Sequence, residues 1–95
     1  MPPNIAPTHH PALAGHFPKD PLFPGVVLLD WAWDYCQMLL PANAVETSVV
    51  QVKFLAPVRP NAVLEYSAVA AENTIDFTVS VNGEAAATGR FGWRI

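Results

Sequence analysis

Charge is scarce in this sequence: Asp, Glu, Lys and Arg make up 14% of its 95 residues, against about a quarter in ordinary soluble domains. So few charges cannot coat a small domain, and part of the apolar surface is expected to be covered by a partner subunit. A homodimer is the simplest closed arrangement. The net charge of −3 is spread thinly and builds no basic stripe, which argues against a nucleic-acid partner. A single cysteine, Cys36, excludes an internal disulfide and, lying in an apolar run, reads as core packing. No segment approaches about 18 uninterrupted apolar residues, and no basic start followed by an apolar stretch and a small-residue cleavage site opens the chain. The expectation is a soluble, cytoplasmic protein with no membrane partner.

Ninety-five residues suffice for one domain, taken as 1–95. Seven of the ten prolines fall between Met1 and Pro24, which forbids a long helix there and leaves room for a short edge strand and loop. Gly25 to Leu40 (GVVLLDWAWDYCQMLL) opens after Pro24, stops before Pro41 and is apolar almost all round. Its polar residues Asp30, Asp34 and Gln37 form one narrow stripe, and the rest is expected to be wrapped by other structure. From Thr47 to Val58 the period changes to alternation, with Val50, Val52 and Phe54 on one side and Gln51 and Lys53 on the other. Turns are expected at Pro60-Asn61, Glu72-Asn73 and Asn82-Gly83, the last a type I′ hairpin. Strands follow over Ala62–Ala71, Thr74–Val81 and Glu84–Ile95, with Gly89 and Gly92 as bulges or close approaches. The order predicts an α+β hotdog arrangement, one long central helix wrapped by an antiparallel sheet of about five strands.

Three histidines are candidates for chemistry. His9 and His10 precede Pro11 and read as surface or capping residues, and their spacing with His16 matches no zinc pattern, so no metal is expected. His16 sits in Gly15-His16-Phe17-Pro18, between a glycine that frees the backbone and an aromatic ring that can shield the imidazole, a natural general base near neutral pH. Asp30, flanked by Leu28, Leu29, Trp31 and Trp33, has its carboxyl pKa raised if it is buried, which suits an acid. Asp34, one turn on, would repel it and push both carboxyls up. Asp30, Asp34 and Gln37 equally fit a solvated helix stripe. Pro24-Gly25 at the helix start offers free N–H groups and no side chain at Gly25, an oxyanion site or simply a turn into the helix.

Together GHFPKDPLFPGVVLLD, holding His16, Pro24-Gly25-Val26 and Asp30, resembles the signature of the beta-hydroxyacyl-acyl-carrier-protein dehydratases, and QVKFLAPVRP resembles the strand after the helix in that family. The likeness covers about half the chain and is similar to the compact dehydratases of aryl-polyene and specialised fatty-acid biosynthesis. It implies a hotdog dimer in which His16 of one subunit works with Asp30 of the other, dehydrating (3R)-3-hydroxyacyl thioesters to trans-2-enoyl thioesters without a cofactor. The substrate would be bound to acyl carrier protein or CoA. His16 would take the C2 proton, protonated Asp30 would help the hydroxyl leave, and Gly25 N–H would hold the enolate-like oxygen. Val26, Phe17 and Asp34 complete the substrate-binding set, and Leu22, Phe23, Trp33 and Phe54 are candidates for an acyl tunnel. Aspartate at position 30 is the version associated with members that also isomerise the double bond, though one residue does not secure that activity. Asp34 stands where many members have glutamine. Carrier docking needs positive charge, for which Lys53, Arg59, Arg90 and Arg94 are the candidates. Two other readings stay open: a hotdog thioesterase using the helix carboxylate, and a non-catalytic subunit of a heteromeric dehydratase.

Overall fold

The computed structural model describes residues 2–10 and 22–95. In chain order the elements are α1 (Gly25–Gln37), β1 (Val45–Phe54), β2 (Leu64–Ala70), β3 (Thr74–Val81) and β4 (Glu84–Arg94). Pro24 supplies an extended N-cap at φ −66°, and its carbonyl accepts the Val27 amide at 3.0 Å. A proline is suited to the helix start because the donor it lacks would have no partner there. The helix closes at Gln37, short of the expected Leu40. The amides of Met38, Leu39 and Leu40 donate instead to the carbonyls of Tyr35, Cys36 and Gln37 at 3.1, 3.0 and 3.3 Å, a tightened last turn that Pro41 cannot extend.

The sheet is antiparallel throughout, in the order β1-β4-β3-β2. Four strands, not about five, are present among the described residues. The N-terminal stretch supplies only an isolated bridge between Ile5 and Val63, fastened by the Ala6 amide to Ala62 and the Leu64 amide to the Asn4 carbonyl at 2.9 and 2.7 Å. Pro2, Pro3 and Pro7 lack the N–H groups a longer ladder requires. The β3–β4 hairpin turns through Asn82 and Gly83 at φ 48° and 88°, the two positive values of a type I′ turn.

Irregular register falls elsewhere than on the two late glycines. Pairing slips at Thr47 and Val50 on β1 and at Ala86 on β4. Gly89 and Gly92 are close approaches: a Cβ on Gly89 would stand 2.5 Å from the Gln51 carbonyl oxygen, and one on Gly92 would stand 2.7 Å from Thr47 Oγ1. The Val50 bulge also changes which valines face inward. Val49 pairs with buried Phe91, and Val52 and Phe54 pair with Gly89 and Ala87, so Val50 is the extra residue of the edge rather than a member of the inward set.

The helix buries Val27, Leu28, Trp31, Ala32 and Cys36 against Ile75, Phe77, Val79, Ala87 and Phe91 of the sheet. Phe77 and Phe91 stack at 4.6 Å, with Trp33 edge-on to Phe91 at 5.3 Å. Only one face of α1 is covered within the chain. Val26 is 63% exposed, and Met38 and Leu39 are also exposed, so the wrapping expected from the apolar sequence is incomplete in a single chain.

Cys36 is fully buried, and burial, with the charge of Glu46 second, pushes its thiol up to about 12. The thiolate is the reactive form, so the folded protein should not react with Ellman's reagent at about pH 8, and labelling should follow global unfolding. Labelling faster than unfolding would contradict this placement.

Candidate active site

The start of α1 forms one wall of an apolar cavity of about 460 Å³, lined by Phe23, Gly25, Leu28, Phe54, Leu55 and Val58 among others. The walls are held by backbone bonds: the Phe23 amide donates to the Val58 carbonyl at 2.9 Å, and the Leu55 amide to the Ala86 carbonyl at 2.8 Å. No side chain caps the helix start, and no acid lies in its first turn. The Phe54 ring lies directly over Gly25, where a Cβ would be 2.5 Å from its Cζ. The opening expected from a missing side chain is therefore filled by an aromatic ring. Phe54 is 51% exposed, which leaves the ring room to swing aside and uncover the helix start.

Of the residues singled out in the sequence, Gly25, Phe23 and Phe54 come together at this cavity, with Leu22 half-buried beside Phe23. Val26, one residue on, points to the exposed side, and Trp33 belongs to the Phe91 cluster rather than the cavity wall. His16 and Phe17 lie outside the described residues. Asp30 is exposed and does not line the cavity. Its charge acts on Glu46 of β1, the strand with the open edge, while that of half-buried Asp34 acts on Tyr66 of β2. The two carboxylates one helical turn apart thus have different neighbours. Tyr66, pushed up by burial and then by Asp34, donates its hydroxyl to the Pro3 carbonyl at 2.7 Å and stacks with Tyr35.

Two features escaped the sequence reading. Glu46 joins Asp30 although it lies on a strand sixteen positions later, and only the register opposite Trp93 turns it toward the helix. His10 is not a surface residue: it is half-buried, edge-on to Phe23 at 5.4 Å and to Trp31 at 6.2 Å. His9 is exposed, as expected. Among the described residues no group of three His, Cys, Asp or Glu is placed to hold a metal ion.

Glu46 supports a prediction with a definite sign. Partial desolvation, then the negative charge of Asp30, raises its carboxyl above the usual range, so the folded chain holds that proton more tightly than the unfolded one. The ionised form therefore costs stability at neutral pH, and the cost disappears as pH falls below the ordinary carboxylate range. Glu46→Gln should stabilise the protein at pH 7 by up to about 1 kcal/mol, the scale of exposed charge pairs, and match wild type near pH 3 in urea titrations. A variant less stable than wild type at pH 7 would contradict the assignment.

Of the basic residues, Arg90 is engaged by Asp76, its Nε donating to Oδ1 at 2.6 Å, and Arg94 donates to the Ile95 carbonyl at 3.2 Å. Arg59 lines a second cavity of about 390 Å³ that shares Ala56 and Pro57 with the first. Lys53 immediately precedes Phe54 on β1.

One helix laid on a four-stranded antiparallel sheet, with an apolar cavity at the helix start, is the architecture of a hotdog-type dehydratase. The chain belongs to the ApeI-like family, described as ApeI dehydratase, which it matches over residues 4–90. Among solved structures it is similar to the dehydratase heterocomplex ApeI:P from Xenorhabdus doucetiae, at 28% identity and a TM-score of 0.84 over 96% of this chain and 82% of that one. It is also similar to an uncharacterized protein from Erwinia carotovora subsp. atroseptica, at 26% identity and a TM-score of 0.78 over 95% of this chain and 77% of that one. No curated protein matches it in sequence. No helix among the described residues is long and apolar enough to cross a membrane.

Proposed function

We propose that this chain dehydrates (3R)-3-hydroxyacyl thioesters carried on acyl carrier protein to trans-2-enoyl thioesters, at a site shared between two subunits. The observation that carries the reading is the position of Asp30. It stands on the same helix as the oxyanion candidate Gly25 yet outside the chain's own cavity, exposed and neighbouring the strand whose edge is open. A carboxylate placed there is enclosed only when another subunit covers that side. The apolar cavity in turn offers no ionisable lining of its own, and His16 is the candidate base nearest to it in sequence.

In the reaction His16 takes the C2 proton while the C3–O bond breaks. Asp30 of the other subunit, protonated, gives its proton to the departing hydroxide, so water leaves and the C2–C3 double bond forms. The oxygen of the thioester gains charge as the C2–H bond breaks, and the uncapped Gly25 N–H at a positive helix end stabilises it. Phe54 must move off Gly25 for the thioester to reach that donor. Lys53 and Arg59, near the cavity, are the better placed of the four basic residues to meet an acidic carrier.

The covering subunit is proposed to be a second copy of this chain. A heteromeric arrangement has one observation in its favour, the heterocomplex formed by the similar Xenorhabdus protein. The test is to incubate the purified chain with a short (3R)-3-hydroxyacyl carrier protein while recording its mass in solution. Loss of water from the acyl chain by a dimer supports the proposal. Release of free thiol instead means hydrolysis, and an inactive chain that dehydrates only after a related subunit is added means the heteromer.

A further inference from the structure

His10, Phe23 and Trp31 form a closed aromatic trio: the imidazole is edge-on to both other rings, and Phe23 and Trp31 are themselves 4.9 Å apart. Phe23 and Trp31 are almost fully buried. Trp31 is fixed on α1, and Phe23 is fixed by its amide to Val58 and by its place in the cavity wall. The third ring comes from a residue that makes no regular secondary structure and directly precedes residues 11–21. Phe23 lies two positions after the same segment ends. The trio therefore draws together the two ends of an eleven-residue stretch and fastens both to the helix that carries Gly25 and Asp30.

We propose that His10 is a positioning residue that clamps the ends of the 11–21 segment and so aligns His16 with the cavity. The alignment half of this rests on the dehydratase reading above; the clamp does not. Holding the ends of a loop removes conformational freedom that would otherwise be lost at each productive encounter. Catalysis is sensitive to such placement, because a displacement of about 1 Å at a reacting group can cost on the order of a hundredfold in rate. The clamp needs the ring of His10, an edge against two aromatic faces, rather than its proton.

The experiment joins hydrogen exchange by mass spectrometry with steady-state kinetics on full-length His10→Ala and His10→Phe proteins. With His10→Ala, amide exchange over 11–21 should rise about tenfold while α1 exchanges as in wild type. Its kcat should fall at least about tenfold with KM changed less than about twofold, the split expected of lost alignment rather than lost binding. His10→Phe should restore both measurements to near wild type. If exchange over 11–21 is unchanged in His10→Ala, the clamp is wrong. If His10→Phe is as impaired as His10→Ala, the imidazole acts through its own chemistry and the clamp is again wrong. Should His10→Ala not fold, His10→Leu, which keeps volume without an aromatic edge, carries the same comparison. Wild-type protein that shows the expected exchange pattern but does not dehydrate overturns the dehydratase reading and leaves the clamp standing.

Discussion

His16→Ala and Asp30→Asn each lower dehydration of a (3R)-3-hydroxyacyl carrier protein by about a thousandfold, within the range that general acid–base groups contribute. Asp30→Asn keeps the shape of the side chain and removes the proton that must follow the hydroxyl. Asp30 is exposed, so the change should leave stability within about 0.5 kcal/mol of wild type, as for other surface substitutions. A folded but inactive protein is therefore the expected result. The stronger test mixes the two inactive variants. If each site joins His16 of one subunit to Asp30 of the other, a mixed dimer has one site with both residues mutated and one with both intact. Random exchange between equal amounts of two homodimers should then restore about a quarter of wild-type activity. A site built within one chain recovers nothing on mixing, and that result would end the shared-site reading.

How much of this was legible in the sequence depends on how local the cause is. The helix start was legible because Pro24 and Gly25 act on their own backbone, and the hairpin because Asn82 and Gly83 accept positive φ whatever surrounds them. The end of the helix was less so: Pro41 limits it, but the retreat to Gln37 is a tightened turn that no single residue dictates. The glycines of β4 could be marked as special, yet their role as close approaches depends on which strand lies across from them. The bulge at Val50, which moves Val49 into the inward set, has no signal in a row of valines. At the candidate site the same division holds. Gly25, Phe23 and Phe54 were found because they stand near a strong motif, and the cavity brings them together. His10 was misread because two histidines before a proline look like loop, and only the fold supplies the Phe23 and Trp31 rings that half-bury the second of them. The low charge content anticipated an uncovered apolar side, and the structure puts it along β1 and the outward face of α1.

That uncovered side underlies the last expectation, that Val50→Lys converts the protein from a dimer to a monomer and removes its activity with the fold intact. The inner strands of the sheet are paired on both sides, and the outer edge of β2 is partly covered where residues 4–6 bond to 61–64. Along β1, ten residues are paired on one side only, by β4, and Val45, Val49, Val50 and Phe54 are exposed. A long apolar edge with unpaired backbone donors and acceptors is a template for another strand, and soluble proteins do not leave one bare. Val50 is 53% exposed and is the extra residue of a bulge, so a lysine there meets water in the separated chain and costs it little. In a twofold dimer the same lysine enters the interface twice and replaces two buried valines, each contributing about 1.5–3 kcal/mol. The dissociation constant should rise at least about a hundredfold, which light scattering at micromolar concentration will register as a halved mass. Val69→Lys is the control, since Val69 is 74% exposed on β2, at the opposite end of the sheet, and its substitution should leave both mass and activity alone. Because Asp30 is enclosed only by the subunit that docks on this side, activity should fall with the dimer. A Val50→Lys protein that stays dimeric would mean that another surface holds the subunits, and one that is monomeric yet fully active would mean that a single chain completes the site.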